Sequence, residues 1–338
     1  LLFAWRVTRL ILKIIDAAAS IPWADQVLPG LTGSSLIIAA LAFGATLLPV
    51  AWPCRTVAWV ALLAIICREP FGPPSACVDI DVLDVGQGLS VVLRTRKRTL
   101  VYDTGPAFRS GGNTGELVVV PYLQYLGIRQ IDLLIVSHAD LDHAGGVESI
   151  ESALTVSARL SGEELGPPVG PSTRPPIPSY RCAAGQAWFW DDVGFSMLHP
   201  SDDTARDGNN ASCVLEVRAG EFRVLLAGDI ERVAERELLR EGLLSSVSLV
   251  VVPHHGSKTS SHDAFVRRLL PRVAVSSAGF ENRWGMPKAE VIQRWQSVGA
   301  EFANTASSGA LGFRLCADSG LTERLRQRRD GRRVWHEL

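Results

Sequence analysis

The sequence predicts an α/β domain of layered sheets and helices, preceded by a short apolar helical segment. Short apolar runs of strand length alternate with helix-like runs from residue 76 onward. The stretch from Gln26 to Cys54 carries no charged residue, and polar clusters stand directly after several of the strand-like runs. With 338 residues, the chain is long enough for two or three domains.

The composition indicates a membrane-associated part together with a soluble domain. The chain is 47% hydrophobic and 20% charged, and its mean hydropathy is +0.15. The formal net charge of −1 gives no support to a dedicated binder of duplex DNA, because such proteins are usually basic. The chain begins at Leu1, so we expect a fragment or a processed product, and we find no signal-peptide pattern.

Residues 1–75 are predicted to be membrane-associated helices. Residues 1–25 carry apolar and basic side chains at helical spacing, which is typical of an amphipathic helix at a membrane surface; an ordinary surface helix is the alternative. Apolar residues 36–48 and a second uncharged run between Arg55 and Arg68 together predict a transmembrane hairpin. The second run is short for a span, so a buried helix is its alternative.

A proline-rich break at residues 70–74 marks the boundary to the layered domain, which is predicted over residues 76–318. The predicted strands cover residues 78–85, 89–93, 99–102, 131–136, 213–217, 222–226, 249–252 and 273–276. The predicted helices cover residues 117–125, 231–239, 263–270 and 288–298, and residues 161–179 are expected to be irregular. Residues 319–338 are predicted to be a basic tail rich in arginine.

The six cysteines show neither a C-x-x-C pair nor a zinc-ribbon spacing. Two interpretations stay open. The cysteines are buried apolar thiols, or some of them form disulfides if the domain lies outside the cytoplasm. The candidates for disulfides are Cys77, Cys182, Cys213 and Cys316.

The densest group of metal-capable side chains follows the strand predicted at residues 131–136. It consists of His138, Asp140, Asp142 and His143. Imidazole and carboxylate groups are the ligands that a hydrolytic metal centre uses, and the glycines that follow permit a tight turn beside the ions. Four such side chains within six positions after an apolar strand predict a metal site.

Other strand ends contribute further candidates. Asp229 follows a predicted strand, although by itself it also suits the N-cap of the next helix. His254 and His255 follow another predicted strand and precede a glycine. Asp84 ends the first predicted strand, where we expect it to orient a ligand histidine or to act as a ligand itself.

Together these residues resemble the metallo-β-lactamase superfamily. Its signature is H-x-H-x-D-H after a strand, then a histidine, an aspartate that bridges two metals, and a last histidine. Here Asp140 stands where the signature has its second histidine, Asp229 matches the bridging aspartate, and His255 matches the last histidine better than His254 does. The middle histidine is absent, because the corresponding stretch contains asparagines. The resemblance implies an αββα sandwich preceded by a short helical membrane segment.

The order of the motifs is similar to that of the carboxy-terminal domain of the ComEC family of bacterial competence proteins. The motifs are LDVGQG, DTG, PYLxxLGI, SHADLDHAGG, NNASCVL, LLAGDIE and PHHGSKTSS. The resemblance implies a nuclease-like domain attached to a DNA channel of the inner membrane, with the domain on the extracytoplasmic side. Its expected task is to degrade the strand that is not imported. It also implies an amino-terminal part of the channel beyond this chain, and other competence proteins as partners.

The resemblance further implies hydrolysis of DNA phosphodiesters with two divalent ions, which activate a water and neutralise charge on the phosphate. The expected ligands are His138, Asp140, Asp142, His143, Asp229 and His255, with His254 as the alternative to His255. A carboxylate-rich ligand set favours Mn²⁺, with Zn²⁺ or Mg²⁺ as alternatives. The catalytic candidates are Asp142, Asp84 and Lys258, and the substrate-binding candidates are Ser257, Lys258, Thr259, Ser260, Asn209 and Asn210.

Two other functions stay open at this point. Met286 stands in a loop where the ComEC family often has a histidine, and this favours a DNA-guiding module with weakened catalysis, as does the absent middle histidine. A metallo-hydrolase acting on another substrate is the remaining alternative. The arginine-rich tail either adds salt-dependent attraction to DNA phosphates or is simply solvated.

Overall fold

The computed structural model describes residues 2–19, 33–48, 51–66, 72–166, 176–201 and 208–331. The chain divides into two units. One comprises residues 1–70 and 123–128, and the other comprises residues 71–122 and 129–338.

The described residues of the amino-terminal unit include the helices α1 (Leu2–Ala19), α2 (Gly33–Leu47) and α3 (Trp52–Ile66). The predicted amphipathic helix and both helices of the predicted hairpin are present, and α2 packs against α3. Within the described ranges, no helix is long and apolar enough to cross a membrane. The prediction of a transmembrane hairpin is therefore not supported. The physical reason is that 15 residues of helix rise only about 22 Å, against about 30 Å of hydrocarbon.

The second unit is built around short strands. In chain order they are β1 (Cys77–Val82), β2 (Val91–Arg94), β3 (Thr99–Tyr102), β4 (Gln130–Ile131), β5 (Leu133–Val136), β6 (Thr155–Val156), β7 (Arg159–Ser161), β8 (Ser179–Arg181), β9 (Ala187–Trp190), β10 (Val193–His199), β11 (Val214–Ala219), β12 (Phe222–Leu226), β13 (Leu249–Val251), β14 (Val273–Ser276), β15 (Glu301–Asn304), β16 (Leu311–Cys316) and β17 (Gly320–Arg326). They form an eight-stranded sheet in the order β17-β16-β1-β2-β3-β5-β7-β8 and a seven-stranded sheet in the order β15-β14-β13-β12-β11-β10-β9, with β4 and β6 as a separate pair.

The remaining helices connect these strands. They are α4 (Val120–Tyr125), α5 (Leu141–Ala144), α6 (Val147–Ala153), α7 (Arg232–Arg240), α8 (Asp263–Leu269), α9 (Ala289–Ser297), α10 (Thr305–Ser308) and α11 (Gln327–Asp330). A π-helical turn covers Gly115–Val119, and 3₁₀ turns cover Gly208–Ala211 and Pro253–Gly256. The αββα sandwich expected from the sequence is confirmed.

Two apolar layers hold the second unit together. The layer between the two sheets includes Val78, Ile80 and Val82 of β1, which alternate with polar residues because successive side chains of a strand point to opposite faces. On the outer face of the seven-stranded sheet, a second layer packs α7, α8 and α9, with Phe265 and Trp295 fully buried. The seven-stranded sheet is therefore packed on both faces.

The carboxy-terminal residues belong to this sheet structure. Residues 320–326, which the sequence analysis assigns to a basic tail, form β17 and pair with β16. Arg324 lies 3.4 Å from a carboxylate oxygen of Asp79 and 3.2 Å from one of Asp81. Arg324 is held in the sheet because it neutralises these two buried carboxylates on the outer face of β1. Residues 332–338 lie outside the described residues.

Four of the cysteines form two disulfides, Cys77–Cys316 and Cys182–Cys213. The interpretation as buried free thiols is wrong for these four, whereas the disulfide interpretation named the same residues. Their pairing follows from strand positions, since Cys77 and Cys316 are direct partners in the β1–β16 ladder. Cys54 is free and exposed, and Cys67 lies outside the described residues.

Candidate metal centre

Three strands deliver the candidate ligands to one edge of the fold. His138 stands two residues after β5, Asp229 three residues after β12, and His255 four residues after β13. Strand β5 runs parallel to its neighbour β3, and β12 runs parallel to β13. Because parallel strands end at the same edge of a sheet, residues that are remote in sequence meet there.

Four side chains converge tightly at this edge. Asp142, His143, Asp229 and His255 each offer a ligand atom, and these atoms lie within 4.8 Å of one another. The Nε2 atom of His143 is 3.2 Å from Oδ1 of Asp229 and 3.3 Å from Nε2 of His255. The Nε2 atom of His255 is 3.3 Å from Oδ2 of Asp142. The two imidazoles and two carboxylates predicted from the motifs therefore share one small volume.

Hydrogen bonds fix the tautomers of both imidazoles. The Nδ1 atom of His143 lies 2.7 Å from Oδ2 of Asp103, and Nδ1 of His255 lies 2.8 Å from the carbonyl oxygen of Ser277. A carboxylate and a carbonyl only accept, so both Nδ1 atoms carry protons. The Nε2 atoms of both rings consequently point into the ligand group, 3.3 Å apart and beside the carboxylates of Asp142 and Asp229.

The side chain of His138 is oriented through a short relay. The hydroxyl of Ser137 donates to Oδ2 of Asp103 at 2.8 Å, and it then accepts from Nδ1 of His138 at 3.0 Å. The Nε2 atom of His138 is buried without a hydrogen-bond partner among the described residues, as is Oδ1 of Asp229. Buried polar atoms left without a hydrogen-bond partner are costly, so both atoms are suited to bind an ion.

Asp103 links the two arms of the site, and the sequence analysis did not assign it a role. It is fully buried directly after β3, with a positive φ of 59°. Its Oδ1 accepts the backbone N–H of Ser137, and its Oδ2 accepts from both Ser137 and His143. The available signal was its position at a strand end in the DTG motif, the same kind of position that identified Asp229.

The charges of the site depress carboxylate pKa values and raise imidazole pKa values. Burial alone would lower the pKa of His143, but the carboxylates of Asp229 and Asp103 outweigh it and hold this pKa well above its ordinary value. Burial likewise opposes the charged form of Asp229, but His143 and His255 hold its pKa well below the usual range. The His255 pKa is also raised, because Asp229 and Asp142 outweigh the effect of burial. The carboxylates of the site therefore favour positive charge at the two imidazoles.

The donor set fits a divalent metal ion. Imidazole nitrogens with fixed Nδ1 protons and ionised carboxylates are the protein ligands of hydrolytic metal centres. Asp140 extends the set towards His138, with its Oδ2 3.5 Å from Nε2 of that residue. The neighbouring imidazole of His138 lowers the pKa of Asp140, which keeps the carboxylate ionised.

The ambiguity between the two adjacent histidines resolves in favour of His255. His254 lies at the margin of the group, with Nε2 3.9 Å from Oδ2 of Asp229 and Nδ1 3.3 Å from Oε1 of Glu231. Both histidines have positive φ values, which β-carbon-bearing residues rarely adopt. This backbone turns the two rings to different sides, so only one enters the four-ligand group.

A glycine allows the first motif to touch the metal loop. Gly88 has a φ of +148°, and a Cβ atom there would lie 2.4 Å from the carbonyl oxygen of Asp142. The next residue, Leu89, donates its N–H to that same carbonyl at 3.1 Å. The LDVGQG motif therefore supports the loop of Asp142 by backbone contact, which only glycine permits at this position.

Asp84 lies outside the ligand group, contrary to its predicted role beside a ligand histidine. Its Oδ2 is 3.1 Å from a guanidinium nitrogen of Arg328, and its Oδ1 accepts the N–H of Gly86 at 3.4 Å. The strand ends before Asp84 reaches the site, and the side chain caps its own loop instead. Lys258 is exposed and lies 3.8 Å from Glu290, so it borders the site without contacting the ligands.

Several predicted substrate contacts serve the fold instead. Ser260 is fully buried and donates its hydroxyl to the carbonyl of Pro253 at 2.8 Å. Ser257 is buried too and lies 3.0 Å from the hydroxyl of Thr259. These serines stabilise the tight turn after β13, because that turn leaves backbone carbonyls without strand partners. Thr259 is exposed and stays available to a ligand.

The asparagines at the position of the missing histidine also hold structure. Asn209 donates to Oε1 of Glu231 at 3.4 Å, and Asn210 accepts the backbone N–H of Glu231 at 3.0 Å. His199 is buried, and its Nε2 bonds to the carbonyl oxygen of Asn210 at 2.9 Å, so it does not replace the missing ligand.

The sandwich and its His/Asp centre define a class of metal-dependent hydrolases. The chain belongs to the metallo-β-lactamase superfamily, because the family model described as "Metallo-beta-lactamase superfamily" matches residues 83–279.

Curated relatives narrow this assignment. Recombination protein 2 of Haemophilus influenzae is 38% identical over 232 residues, which cover 68% of this chain and 28% of that protein. Competence protein ComA of Neisseria gonorrhoeae is 35% identical over 293 residues, covering 86% and 40%. ComE operon protein 3 of Bacillus subtilis is 29% identical over 255 residues, covering 70% and 33%. These matches confirm the ComEC-family resemblance, and the chain spans 28–40% of the length of these relatives.

Proposed function

We propose that this chain carries a metal-dependent DNase that acts in DNA uptake and hydrolyses the strand that is not imported. The observation that carries the proposal is the convergence of the Nε2 atoms of His143 and His255, 3.3 Å apart, with the carboxylates of Asp142 and Asp229. The relatives are named as competence and recombination proteins, and these names favour DNA as the substrate.

The charge of the site supports two divalent ions, with Mn²⁺ favoured and Zn²⁺ or Mg²⁺ as alternatives. With neutral imidazoles, the four carboxylates of Asp103, Asp140, Asp142 and Asp229 require about four positive charges. The bound ions would supply a water of lowered pKa and would neutralise charge on the phosphate.

The residues divide this work by position. His143, His255 and Asp142 would hold one ion, while His138 and Asp140 would hold the other and Asp229 would lie between them. Thr259 and Lys258 are exposed beyond the His255 turn, where they would donate to oxygens of the DNA backbone.

The disulfides support an extracytoplasmic location for the layered domain, on the outer side of the bacterial inner membrane. Disulfides persist in oxidising compartments and are rare in the cytosol. Attachment to the bilayer is supported by α1, whose apolar residues Leu10, Ile11 and Ile14 are each at least half exposed. We propose the remaining part of the channel protein and other competence proteins as further partners.

A second candidate function is a DNA-guiding module with weakened catalysis. It is favoured by the absence of the middle histidine of the family signature. The asparagines at that position, Asn209 and Asn210, bind Glu231 instead. The second ion would therefore have His138 and Asp140 as ligands, beside the shared Asp229. An open site of this kind would bind its ion more weakly than a complete one.

Cleavage of labelled single-stranded and duplex DNA by this chain with added Mn²⁺ tests the proposal. The control is the double variant His138→Ala, Asp142→Ala. We expect cleavage that the variant loses. Metal binding without cleavage of either DNA would contradict the DNase and support the guiding module. Cleavage confined to a lactam, thioester or phosphonate in a substrate panel would assign the site to a different hydrolase.

A further inference from the structure

A loop at the margin of the metal centre presents large aromatic rings to solvent. We call residues 279–287, between β14 and α9, the rim loop. Phe280 is 71% exposed and Trp284 is 44% exposed, whereas Trp295 and Phe265 of the same unit are fully buried. Two exposed aromatic rings on one short loop leave favourable burial unused, and such surfaces usually serve binding.

Both ends of the rim loop are attached to the metal centre. At its carboxyl end, Lys288 donates its N–H at 2.9 Å to the carbonyl of Gly256, the residue directly after the ligand His255. A Cβ atom at Gly256 would lie 2.5 Å from the side chain of Pro287, so the two backbones are in direct contact. At its amino end, Gly279 donates its N–H at 3.2 Å to Gln87 of the first motif.

Internal hydrogen bonds brace the loop between these attachments. Asn282 accepts the N–H of Met286 at 2.9 Å and donates to the carbonyl of Gly279 at 2.9 Å. The ammonium group of Lys288 donates to the carbonyl of Trp284. The rings are therefore carried on a loop held by several bonds, which lowers the entropy cost of binding a flat ligand.

A cation is already stacked on one of the rings. The guanidinium carbon of Arg283 lies 4.2 Å from the ring centroid of Trp284. An arginine that stacks on an aromatic ring beside a groove is a common element of surfaces that bind single-stranded nucleic acids, because it adds a planar cation to the stack.

We propose that the rim loop is a stacking platform for the bases of single-stranded DNA whose phosphate lies at the metal centre. The inference rests on the proposed function and names the form of its substrate. Every nucleotide carries its base next to its phosphate, and only an unpaired base offers a free face to Phe280 and Trp284. A base within a duplex has both faces covered by its neighbours. The substrate is therefore a single strand or a frayed end, of any sequence, since every base has a π-face.

Binding without hydrolysis tests the platform directly. The probe is a fluorescein-labelled oligothymidine of about a dozen nucleotides, compared with an abasic oligomer of equal length, both measured by anisotropy in a chelator. The variant Phe280→Ala, Trp284→Ala should bind oligothymidine about 10-fold or more weakly, and should bind the abasic oligomer as the unmodified chain does. Phe189→Ala is the matched control, because its ring is 67% exposed on β9 at the far edge of the same sheet.

The conservative variant Trp284→Tyr keeps an aromatic face and should retain the preference for bases, which separates stacking from a folding defect. Equal losses on both oligomers, or no loss on either, would overturn the platform. Loss of binding to anionic phospholipid vesicles with unchanged preference for bases would assign the rings to a membrane surface and would also overturn it.

Failure of the proposed function gives a different result. An abasic oligomer contains the phosphodiester without the bases, so its cleavage with Mn²⁺ reports on the metal chemistry alone. If neither oligomer is cleaved but bases still strengthen binding through Phe280 and Trp284, the DNase proposal fails and the platform stands.

Discussion

At the scale of single residues, Asp103 orients the imidazole rings of His143 and His138, two of the candidate metal ligands. It binds Nδ1 of His143 directly and positions His138 through the hydroxyl of Ser137. A carboxylate that accepts from both arms raises the basicity of the ligands and fixes their rings. Asp103 therefore acts on the site through the rings that it orients.

Replacing Asp103 tests this role. In Asp103→Asn an NH2 group replaces the oxygen that accepts the backbone N–H of Ser137, and the charge beside His143 is lost. We therefore expect the affinity for Mn²⁺ to fall about 10- to 100-fold while the fold is retained. Titration calorimetry measures the affinity. Asp132→Asn is the control, because Asp132 pairs with Arg98 at the start of β5 and not with a ligand. An unchanged affinity in Asp103→Asn would remove this residue from the metal centre.

The candidate ligands were predictable because each stands after an apolar strand in a recognisable motif. The roles of Ser257, Ser260 and Asp84 were not, because a polar residue near a motif equally well satisfies the backbone of a turn. Only the contacts distinguish the two uses: Ser260 donates to Pro253, whereas Thr259 remains exposed.

At the scale of elements, the Cys77–Cys316 disulfide joins the first strand of the layered domain to its penultimate one, across 239 residues of sequence. Cross-linking such distant residues restricts the unfolded chain more than a short loop would. The bond therefore stabilises the whole eight-stranded sheet.

Removing this disulfide should lower the free energy of unfolding. For Cys77→Ala with Cys316→Ala we expect a loss of about 2–5 kcal/mol, measured by urea unfolding. Cys54→Ser is the matched control, because that thiol is free and exposed, and it should leave the value unchanged. A midpoint of the double variant that coincides with that of the control would mean that the cross-link contributes nothing.

Helix α7 contains a buried acid that couples stability to pH. Glu235 is fully buried and accepts the backbone N–H groups of Ser261 and His262. Burial raises its pKa to about 7, although the two N–H groups oppose this. A carboxyl whose pKa is higher in the folded chain than in the unfolded chain favours folding when protonated. Its contribution to stability is therefore lost as the pH rises through about 4.5 to about 7.

We expect Glu235 to account for a decrease of about 3 kcal/mol in the free energy of unfolding across that pH range, and this part of the slope should be absent in Glu235→Gln. The measurement is urea unfolding at a series of pH values. The slope is compared rather than the absolute stability, because the amide of glutamine cannot accept both N–H groups. Glu241→Gln, an exposed position after the same helix, should keep the slope. A slope that persists in Glu235→Gln would assign it to another group.

Elements with strong patterns were the ones that the sequence predicted well. Strands β3, β12 and β14 have the predicted bounds, and helices α7, α8 and α9 lie within a residue of theirs. Strands β9, β10, β15, β16 and β17 were not predicted, although β9 pairs with β10 and β16 pairs with β17 as neighbours along the chain.

At the scale of the whole molecule, the metal centre lies where both sheets end. Residues from β3 and β5 of the eight-stranded sheet meet residues from β12 and β13 of the seven-stranded sheet. Bound ions would therefore connect the two layers of the sandwich, and a ligand that binds only the folded state stabilises it by mass action.

Removing metal should lower the thermal midpoint of the chain. With free Mn²⁺ about 100-fold above its Kd, we expect about 3 kcal/mol of added stability relative to a chelated sample, measured by differential scanning calorimetry. His138→Ala with Asp142→Ala should abolish this difference. Equal midpoints with and without the chelator in the unmodified chain would argue against a bound ion.

The sequence by itself determined the class of fold, the strand-end positions of the ligands and the family, because apolar periodicity and short motifs are local properties of the chain. Only the tertiary structure decided which of two adjacent histidines enters the site, that Asp103 orients two ligands, which cysteines pair, and that the rim loop carries its rings beside the metal centre. The physical reason is that each of these depends on contacts between residues far apart in sequence. Such contacts form only when two sheets pack and bring their strand ends to one edge.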